Sequence, residues 1–495
     1  MLGDNKSAKL KILFVAAEVA PFAKTGGLAD VAGSLPQALA LLGHDIRVVM
    51  PKYRVIKGEF AILTDFPVAI GDRRETTILR QGTVNAAGEK VDITVPVYFV
   101  DNYHYFDRDG IYGYQDEVER FAFFSKAVLE MLPHIDFQPD VIHCNDWQTG
   151  PISLLLKEQY RVNPFYSNMV TIYTIHNLQY QGNFEHHALQ LLGIGEEYYT
   201  PEGIEFYNMV SFTKCGIIYA DLINTVSHTY AQEIQTAEFG ERLDGLLRQR
   251  SFDLYGIVNG INNQEYDPQS DKNISGNFGP QNPEGKLPNK HAIQRELGLP
   301  EKNVPVIGLI SRLVDQKGLD LIAVGMDQLL TKEVQFIVLG SGDSYYEQLF
   351  LETRRRFPEK VAVSIGFNAG LAQRIYAGCD LFLMPSRFEP CGLGQLIALR
   401  YGTIPVVRST GGLADTIQEF NPATLEGNGF TFKAYNPEAM LEAIDRAVQL
   451  YTCNQELWKS LTIKALSADY SWSRSAQAYV ELYNLALVKS KKLPN

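Results

Sequence analysis

The stretch "KILFVAAEVAPFAKTGGLAD", residues 11–30, joins an apolar run to a pair of glycines and an aspartate. Its apolar opening, "KILFVAAE", is typical of a strand buried on both faces. A lysine, two glycines and a helix-like segment follow directly, so the sequence predicts a strand, a tight turn and a helix. The hexapeptide "TGGLAD" returns at 410–415, late in the second half of the chain. We interpret this recurrence as local convergence and not as a sequence repeat.

The composition of the 495-residue chain is that of an ordinary globular protein, with 45% apolar and 21% charged residues. Since domains usually have roughly 100 to 200 residues, we expect two large domains. The formal net charge of −12 repels nucleic acid and acidic membrane surfaces, so neither is an expected partner. An anionic substrate would have to be bound by a local group of cations and backbone N–H groups.

The cysteines and the start of the chain predict where the protein resides. The five cysteines show no C-x-x-C spacing, which predicts free thiols in a reducing compartment and no structural zinc site. No stretch has 18 consecutive apolar residues, and the first ten residues lack the order of a signal peptide. These features predict a cytoplasmic protein, although a mature plastid protein without its transit peptide would look the same.

Short apolar runs alternate with helix-like segments along the first half of the chain, which predicts a doubly wound parallel sheet. The runs are "KILFVAAE" (11–18), "DIRVVMP" (45–51), "VDITVPVYFV" (91–100), "DVIHC" (140–144), "MVTIYTI" (169–175) and "DLINTVS" (221–227). Helix patterns occur at 26–43, 120–132 and 148–160. Pro36 lies inside the first of them and predicts a kink or a break there.

The polar stretch 262–303 is rich in Asn, Pro, Gly and Ser and is predicted to be a loop-like connection between domains. Alternation then restarts and predicts a second Rossmann-like domain at 304–470. We therefore expect an N-terminal Rossmann-like domain at 1–261 and, at 471–495, a C-terminal helix that packs back on it. Two such α/β domains facing each other would form a cleft lined by the carboxyl ends of both sets of strands, where ligands bind.

"KTGGLAD", at 24–30, is the first candidate for an anion site. Gly26 and Gly27 would let a ligand approach the backbone, and the helix after them would offer free N–H groups. Lys24 adds a full positive charge, and Asp30 closes the motif. A plain strand-to-helix turn with a solvated lysine explains the motif equally well, because short glycine motifs often match by chance.

Two loops of the second half offer further candidates. "SRLVDQKG" places Arg312 and Lys317 between a strand and a helix, where they would clamp a diphosphate; a charged surface loop is the alternative. "SRFEPCGLGQL" places Glu389 before a helix that is expected to open at Gly392. This carboxylate would bind sugar hydroxyls or balance positive charge in a transition state, or it would only stabilise the start of the helix.

Polar side chains also follow two strands of the first half. "HCNDW" (143–147) and "TIHNLQYQG" (174–182) offer groups of the kind that bind sugar hydroxyls, namely His143, Asp146, His176 and Asn177. A histidine at a strand end is, however, more often structural than catalytic. "GSGD" starts at Gly340 like a dinucleotide fingerprint but lacks its third glycine, which argues against a nicotinamide cofactor. Motifs of zinc hydrolases, serine hydrolases and P-loop ATPases are absent from the sequence.

Seven motifs, taken in order, resemble those of the bacterial glycogen synthase and plant starch synthase family. They are "KTGGLADVAGSLP", "HCNDW", "YTIHNLQYQG", "VNGI", "SRLVDQKGLDL", "SRFEPCGLGQL" and "RSTGGLADT", spread over about residues 10–475. The resemblance implies a GT-B type glycosyltransferase fold with two facing Rossmann-like domains and a deep interdomain cleft. It also implies transfer of glucose from ADP-glucose to the nonreducing end of an α-1,4-glucan, with retention of configuration. The N-terminal domain would be the acceptor side and the C-terminal domain the donor side.

The resemblance implies catalytic roles for five residues. Lys24 would reach into the donor site, and Arg312 and Lys317 would form the diphosphate clamp. Glu389 would contact the transferred glucose, and His176 would lie beside the reacting carbon. Negative charge that develops on the diphosphate would be stabilised by the cations, and positive charge on the sugar ring by Glu389 and His176. We expect neither a metal nor another cofactor, because these cations can take the role that Mg²⁺ has in other transferases.

Other positions are expected to bind substrate. Asp146 and Asn259 would line the sugar site, and Phe367 would offer a ring to the nucleotide base. Further contacts are expected from Gly26, Gly27, Asp30, Asn177, Gly340, Gly392, Thr410 and Gly411. The sequence departs from the family where Asn145 replaces a frequent histidine and Gly394 a threonine of some relatives. We expect both changes to tune acceptor binding at most.

Alternative functions remain at this stage. A related retaining transferase would use UDP-glucose, since the choice of base depends on the shape of the pocket. Sucrose-synthase-like enzymes often place a second glutamate eight residues after the first, and Ile397 at that position favours the glucan branch. A catalytically inactive glucan-binding scaffold would depend on aromatic platforms, but the chain has only three tryptophans and retains the predicted catalytic set. Closure of the two domains about 262–303 is expected to assemble the site and exclude water.

Overall fold

The computed structural model describes residues 9–87 and 92–492, which form two compact α/β units. The first unit contains the described residues of Met1–Val226, Ala231–Ile257 and Trp472–Asn495. The second unit contains Ser227–Tyr230 and Val258–Ser471. The outermost residues of the domains expected at 1–261 and 471–495 lie outside the described residues, as does Val91 of the predicted strand 91–100.

The strands of the first unit lie mainly in one mixed sheet. In chain order, the strands described are β1 (Lys11–Val15), β2 (Asp45–Pro51), β3 (Ala61–Ile70), β4 (Arg73–Ala87), β5 (Asp92–Asp101), β6 (Val141–Asn145), β7 (Val170–Ile175), β8 (Asn183–Phe184), β9 (Glu205–Phe206), β10 (Met209–Ser211), β11 (Leu222–Thr225) and β12 (Leu254–Gly256). The large sheet has the order β12-β11-β7-β6-β1-β2-β5-β4-β3, and β8, β10 and β9 form a small antiparallel sheet.

The predicted parallel sheet is confirmed from β12 to β5, where every neighbouring pair is parallel. Strands β3 and β4 add an antiparallel edge to it that the sequence analysis did not predict. The order of the parallel strands reverses beside β1, which has β2 on one side and β6 on the other. In doubly wound sheets ligands bind at such a reversal, beyond the carboxyl ends of the strands.

Helices connect these strands. Along residues 9–257 they are α1 (Gly27–Leu41), α2 (Tyr103–Phe106), α3 (Glu117–His134), α4 (Gly150–Leu155), α5 (Ala188–Leu192), α6 (Phe212–Tyr219), α7 (His228–Glu233) and α8 (Asp244–Gln249). Of the kink or break predicted at Pro36, the break is wrong, because α1 continues through this residue. Leu28, Val31, Leu35 and Leu39 bury one face of α1 along its whole length. This packing outweighs the backbone hydrogen bond that the proline removes.

The second unit has a six-stranded, fully parallel sheet. Its strands are β13 (Val306–Ile310), β14 (Gln335–Gly340), β15 (Val361–Ile365), β16 (Leu381–Met384), β17 (Ile404–Arg408) and β18 (Phe430–Phe432). Their order, β15-β14-β13-β16-β17-β18, is the order 3-2-1-4-5-6 of a Rossmann fold. The predicted second Rossmann-like unit is therefore confirmed, and its strand order reverses between β13 and β16.

The helices of the second unit cover this sheet. They are α9 (Lys286–Glu296), α10 (Leu319–Leu330), α11 (Ser344–Arg356), α12 (Ala369–Gly378), α13 (Gly394–Arg400), α14 (Gly411–Thr416), α15 (Pro437–Cys453) and α16 (Gln455–Ser467). The last helix, α17 (Trp472–Lys492), belongs to the first unit, where it contacts α1 and β7. Among the described residues, none of these helices is long and apolar enough to span a membrane.

The polar stretch 262–303 is not a continuous loop, because it contains α9. This helix packs against α12 inside the second unit. Four of its buried residues are polar or charged, namely Lys286, Asn289, Lys290 and Gln294. Lys286 Nζ contacts the carbonyl oxygens of Tyr376, Ala377 and Tyr401 and Thr403 Oγ1 at 2.7–3.2 Å. Since hydrogen bonds take the place of apolar contacts, the sequence shows no apolar stripe that would have predicted the helix.

Candidate active site

The first TGGLAD sequence begins α1 and leaves open space around its two glycines. A methyl group on Gly26 or Gly27 would meet no atom within 4 Å. Lys24 Nζ lies 2.6 Å from Asp30 Oδ1, and both side chains are partly exposed. Burial raises the pKa of Asp30, although the charge of Lys24 opposes this shift. The predicted anion site therefore has an accessible backbone and a cation, Lys24, that forms an ion pair with Asp30.

Glu18 belongs to the same loop and was missed by the sequence analysis. Its buried carboxylate accepts hydrogen bonds from the N–H groups of Thr25 and Gly26 and from Thr25 Oγ1. The hydroxyl of Tyr112 donates a further hydrogen bond to it at 2.8 Å. An anionic ligand would thus have to use N–H groups beyond Gly26. Its position between the first strand and the glycine pair could have indicated that Glu18 contacts this loop.

The second TGGLAD sequence packs tightly instead. Gly411 has a φ of +45°, and a Cβ there would overlap the carbonyl oxygen of Glu389. A Cβ on Gly412 would overlap the carbonyl oxygen of Cys391, and the Gly412 N–H donates to Glu389 O at 3.0 Å. Thr410 before them is buried. These glycines let α14 pack on the backbone of the loop that carries Glu389.

Asp415, the last residue of this second hexapeptide, also differs in role from Asp30. Its carboxylate accepts hydrogen bonds from His228 N at 2.6 Å and from Thr229 N at 3.1 Å. Thr229 Oγ1 donates to it as well, at 2.5 Å. The carboxylate thereby caps the first turn of α7. The same six letters form an open turn in one unit and a closed packing contact in the other.

Asp146 and His176 come together because β6 and β7 are neighbouring parallel strands that end at the same edge. Asp146 Oδ1 accepts a hydrogen bond from the His176 N–H at 2.7 Å. Burial raises the pKa of Asp146 to about 7, although the N–H groups of His176 and Asn177 oppose the shift. Asp146 also has a φ of 57° and a ψ of 178°, a strained conformation that costs roughly 1–3 kcal/mol. Strain together with a perturbed carboxyl group is typical of functional sites.

The histidines of this region have different surroundings. The buried ring of His176 has its Nε2 2.9 Å from Asn145 Oδ1, and burial lowers its pKa to about 3. His143 is completely buried, with Nδ1 2.8 Å from Tyr483 Oη and Nε2 2.7 Å from Thr174 Oγ1. Burial lowers the pKa of His143 to about 3 as well, so both rings are neutral near pH 7. The contacts of His143 with α17 and β7 are those of a structural residue.

Asn177 is part of the turn that follows β7, where its Oδ1 accepts a hydrogen bond from Gln179 N at 3.1 Å. Beyond this turn lies a cavity of about 490 Å³ in the first unit. Its wall combines aromatic rings with polar and charged groups, including Trp147, Tyr180, Phe184, Phe206, Glu241 and Arg242. Such a mixture suits a sugar ring, whose faces are apolar and whose edges carry hydroxyl groups.

In the second unit, the loops after β13 and β16 meet because these strands are neighbours. Lys317 Nζ lies 2.6 Å from Glu389 Oε2, and Ser386 Oγ donates to the same oxygen at 3.0 Å. The side chains of Lys317 and Glu389 are only 17% and 7% exposed. Both residues were predicted from the sequence as members of the site, but their buried ion pair was not. The sequence analysis also missed Ser386, whose signal was its place at the exit of a buried strand.

Arg312 lies on the same loop as Lys317 and is exposed. Within the described part of the chain, no carboxylate forms an ion pair with it. Gly318 ends the loop with a φ of +70°, and a Cβ there would overlap the carbonyl oxygen of Pro385. The loop is thus held close to the exit of β16, while the guanidinium of Arg312 is available to an anionic ligand.

Asn259 and Phe367 are placed differently with respect to solvent. The Oδ1 of Asn259 is buried and has no hydrogen-bond partner among residues 9–87 and 92–492. Its neighbour Cys391 has a pKa raised by burial to about 12, a shift that hydrogen bonding from Asn259 opposes. Phe367 is 85% exposed, as an aromatic ring that is available to a ligand would be.

Two glycines of the second unit are required by packing. A Cβ on Gly340 would overlap the carbonyl oxygen of Ser311. Gly392 has a φ of +75°, and a Cβ there would lie 2.5 Å from the side chain of Gln395. The helix expected to open at Gly392 begins at Gly394. Gly392 and Leu393 form a turn before this helix, with Gly392 in the left-handed conformation. A side chain at position 392 would strain this turn.

Two family models match this chain. Residues 11–249 match the family model "Starch synthase catalytic domain", and residues 289–460 match "Glycosyl transferases group 1". Glycogen synthases of Desulforudis audaxviator and Moorella thermoacetica are 58% and 56% identical to the chain, over 97% of its length and 97% and 98% of theirs.

A solved structure shows the same architecture. The catalytic domain of starch synthase IV from Arabidopsis thaliana, bound to ADP and acarbose, is similar with a TM-score of 0.90 and 35% identity. The match covers 97% of this chain and 100% of the plant domain. The two Rossmann-like units and the similarity over 97% of the chain indicate the same fold and the same family. The chain is thus a GT-B type glycosyltransferase and belongs to the glycogen synthase and starch synthase family.

Proposed function

We propose that this chain is a retaining glucosyltransferase that elongates an α-1,4-glucan by adding glucose from ADP-glucose to the nonreducing end. The observation that carries the proposal is the 58% identity to a glycogen synthase over 97% of both chains. The related plant domain binds ADP and acarbose, and ADP is the product that an ADP-glucose donor would leave. The donor base and the predicted cytoplasmic location stay predictions.

The second unit would bind the donor. Arg312, exposed and without an ion pair among the described residues, would bind the diphosphate in a bidentate manner. Lys317 is paired with Glu389, but an ammonium group has three donors and can contact a phosphate oxygen at the same time. Both cations would stabilise the negative charge that grows on the diphosphate as the glucosyl bond breaks. Phe367 would stack on the base.

Glu389 would act on the sugar. Its carboxylate is fixed by Lys317 and Ser386 Oγ at the exit of β16, so little reorganisation is needed when charge develops in the glucose ring. The unpartnered oxygen of Asn259 would accept a hydrogen bond from a sugar hydroxyl. Glycines 340, 392 and 411 would act through packing, which keeps these loops in place.

The first unit would bind the acceptor. The cavity lined by Trp147 and Phe206 would hold glucose units, and Asp146 and His176 would lie at the strand ends beside it. Lys24 and the open backbone at Gly27 would bind a phosphate group. The buried, neutral ring of His176 suits contact with an uncharged sugar.

The reaction is balanced without a further reactant. The bond between glucose C1 and the ADP oxygen breaks, and C1 forms a bond to a hydroxyl oxygen of the acceptor. The hydroxyl proton leaves with ADP. Retention is compatible with departure and attack on the same face of the ring or with two successive inversions through a covalent intermediate, and we favour the same-face route.

Radiolabelled ADP-glucose with a glycogen primer tests the proposal. Label bound to polymer is the expected result, and a Glu389→Gln variant should lose most of it. A folded chain that incorporates no label but still binds glycogen would instead be a scaffold. Competition between ADP-glucose and UDP-glucose in the same assay decides the donor.

A further inference from the structure

The amide of Asn145 has a fixed orientation in the interior of the first unit. The side chain is completely buried at the end of β6. Its Nδ2 contacts the carbonyl oxygens of Val15 and His143 at 3.0 and 3.2 Å. Carbonyl oxygens only accept hydrogen bonds, so the NH₂ group must face them. The amide oxygen is consequently directed to the other side.

That oxygen lies 2.9 Å from Nε2 of His176. An amide oxygen cannot donate, so Nε2 must carry the proton of this hydrogen bond. The ring is neutral, because its burial lowers the pKa to about 3, and Nδ1 therefore keeps its lone pair. The main-chain N–H of His176 is held separately, by the carboxyl group of Asp146.

We propose that Asn145 is a positioning residue that fixes His176 in the Nε2–H tautomer and leaves Nδ1 as a hydrogen-bond acceptor only. A group that binds to this ring must then be a donor, such as a sugar hydroxyl, and not a phosphate oxygen. An imidazole at position 145 can donate or accept at the nitrogen that faces His176, whereas this amide only accepts. The contact of Nδ1 with a sugar rests on the proposed function, but the tautomer does not.

NMR of the full-length, substrate-free chain with ¹⁵N-labelled histidine rings tests the tautomer. A His176→Gln variant identifies the signals of this ring. We expect a pyrrole-type nitrogen at Nε2 and a pyridine-type nitrogen at Nδ1 near neutral pH. Protonation of Nδ1, alone or together with Nε2, would overturn the proposal.

Two substitutions of Asn145 test its role. Asn145→Leu removes the acceptor, so signals of both tautomers should appear. Its turnover should fall roughly tenfold to a hundredfold, the loss that is typical when the hydrogen-bond partner that orients a metal-binding histidine is removed. Asn145→Asp keeps an acceptor towards Nε2 and should keep this nitrogen protonated, but its second oxygen faces the carbonyl oxygens of Val15 and His143, so this variant should be less stable than the original chain. Circular dichroism and thermal unfolding show whether each variant is folded.

The outcomes separate this proposal from the proposed function. If Asn145→Leu keeps a pure Nε2–H ring and normal turnover, Asn145 is not a positioning residue. If that variant does not fold, the original chain still decides the tautomer. If the expected tautomer is found in a chain that transfers no glucose, the assignment of the proton stands and the proposed function fails.

Discussion

Replacement of Lys317 by Met tests the buried ion pair of the second unit. The change removes the ammonium group and leaves Glu389, only 7% exposed, with Ser386 as the remaining partner of the bonded oxygen. Removal of one partner from a buried pair costs roughly 3–5 kcal/mol, because the other charge stays desolvated. Since Lys317 is 17% exposed and the serine hydroxyl remains, we expect the free energy of unfolding to fall by about 3 kcal/mol.

The same change should affect turnover by a separate route. Lys317 is proposed to contact the diphosphate and to bind it more strongly as negative charge develops there. Loss of such a contact is expected to lower turnover roughly 10²-fold or more. Urea unfolding measures the first effect, and the incorporation of labelled glucose into glycogen measures the second.

The double variant Lys317→Met, Glu389→Gln is the matched control. It leaves no unpaired charge, so most of the lost unfolding free energy should return while turnover stays low. Normal turnover in a destabilised Lys317→Met chain would refute the role of the lysine at the diphosphate. Unchanged stability in that variant would refute the description of the pair as buried and mutually dependent.

Three further predictions concern single residues. Gly412→Ala should lower the free energy of unfolding by about 2 kcal/mol or more in urea titrations, whereas Gly27→Ala at the first position of α1 should change it by less than about 0.5 kcal/mol, because only the first added methyl group meets other atoms. The folded chain keeps the Asp146 proton between about pH 4 and 7, where the unfolded chain releases it. Stability conferred by this residue therefore falls as the pH rises, and the unfolding free energy of Asp146→Asn, relative to the original chain, should increase across that range. Lys286→Met should lower the thermal unfolding temperature, with a loss of about 3 kcal/mol or more, because it leaves buried carbonyl oxygens unpaired.

The local structure of residues 11–41 was predictable because each segment carries its own signal. The apolar run, the glycine pair and the amphipathic stretch each favour one conformation, and their order gives a strand, a turn and a helix. The break expected at Pro36 did not follow. One helix face becomes buried only when the whole unit folds. The local effect of a proline on the backbone therefore did not predict that the helix continues.

Polar residues that become buried were the main source of error. In α9, Lys286 and Lys290 occupy buried positions that a sequence pattern assigns to solvent. Their partners lie some 90 residues or more further along the chain, as in the pair of Lys290 with Asp380. Only the folded second unit brings these groups together, so the stretch 262–303 looked like a loop.

The candidate site was predictable residue by residue but not as an arrangement. Lys317 and Glu389 were recognised at the exits of two strands, yet their ion pair depends on β13 lying beside β16. The two TGGLAD sequences show the same limit. Open space at Gly26 and close packing at Gly411 are set by neighbouring loops, and not by the hexapeptide.

Transfer of glucose to a glucan end is measured directly with ADP-glucose labelled with ¹³C at C1 and a short maltooligosaccharide. After incubation with the full chain, NMR of the product identifies the new linkage and its anomeric configuration. We expect the label to appear in an α-1,4 bond at the nonreducing end, with release of ADP. Label found only in free glucose, in a β linkage, or only in unreacted donor with a folded chain would contradict it.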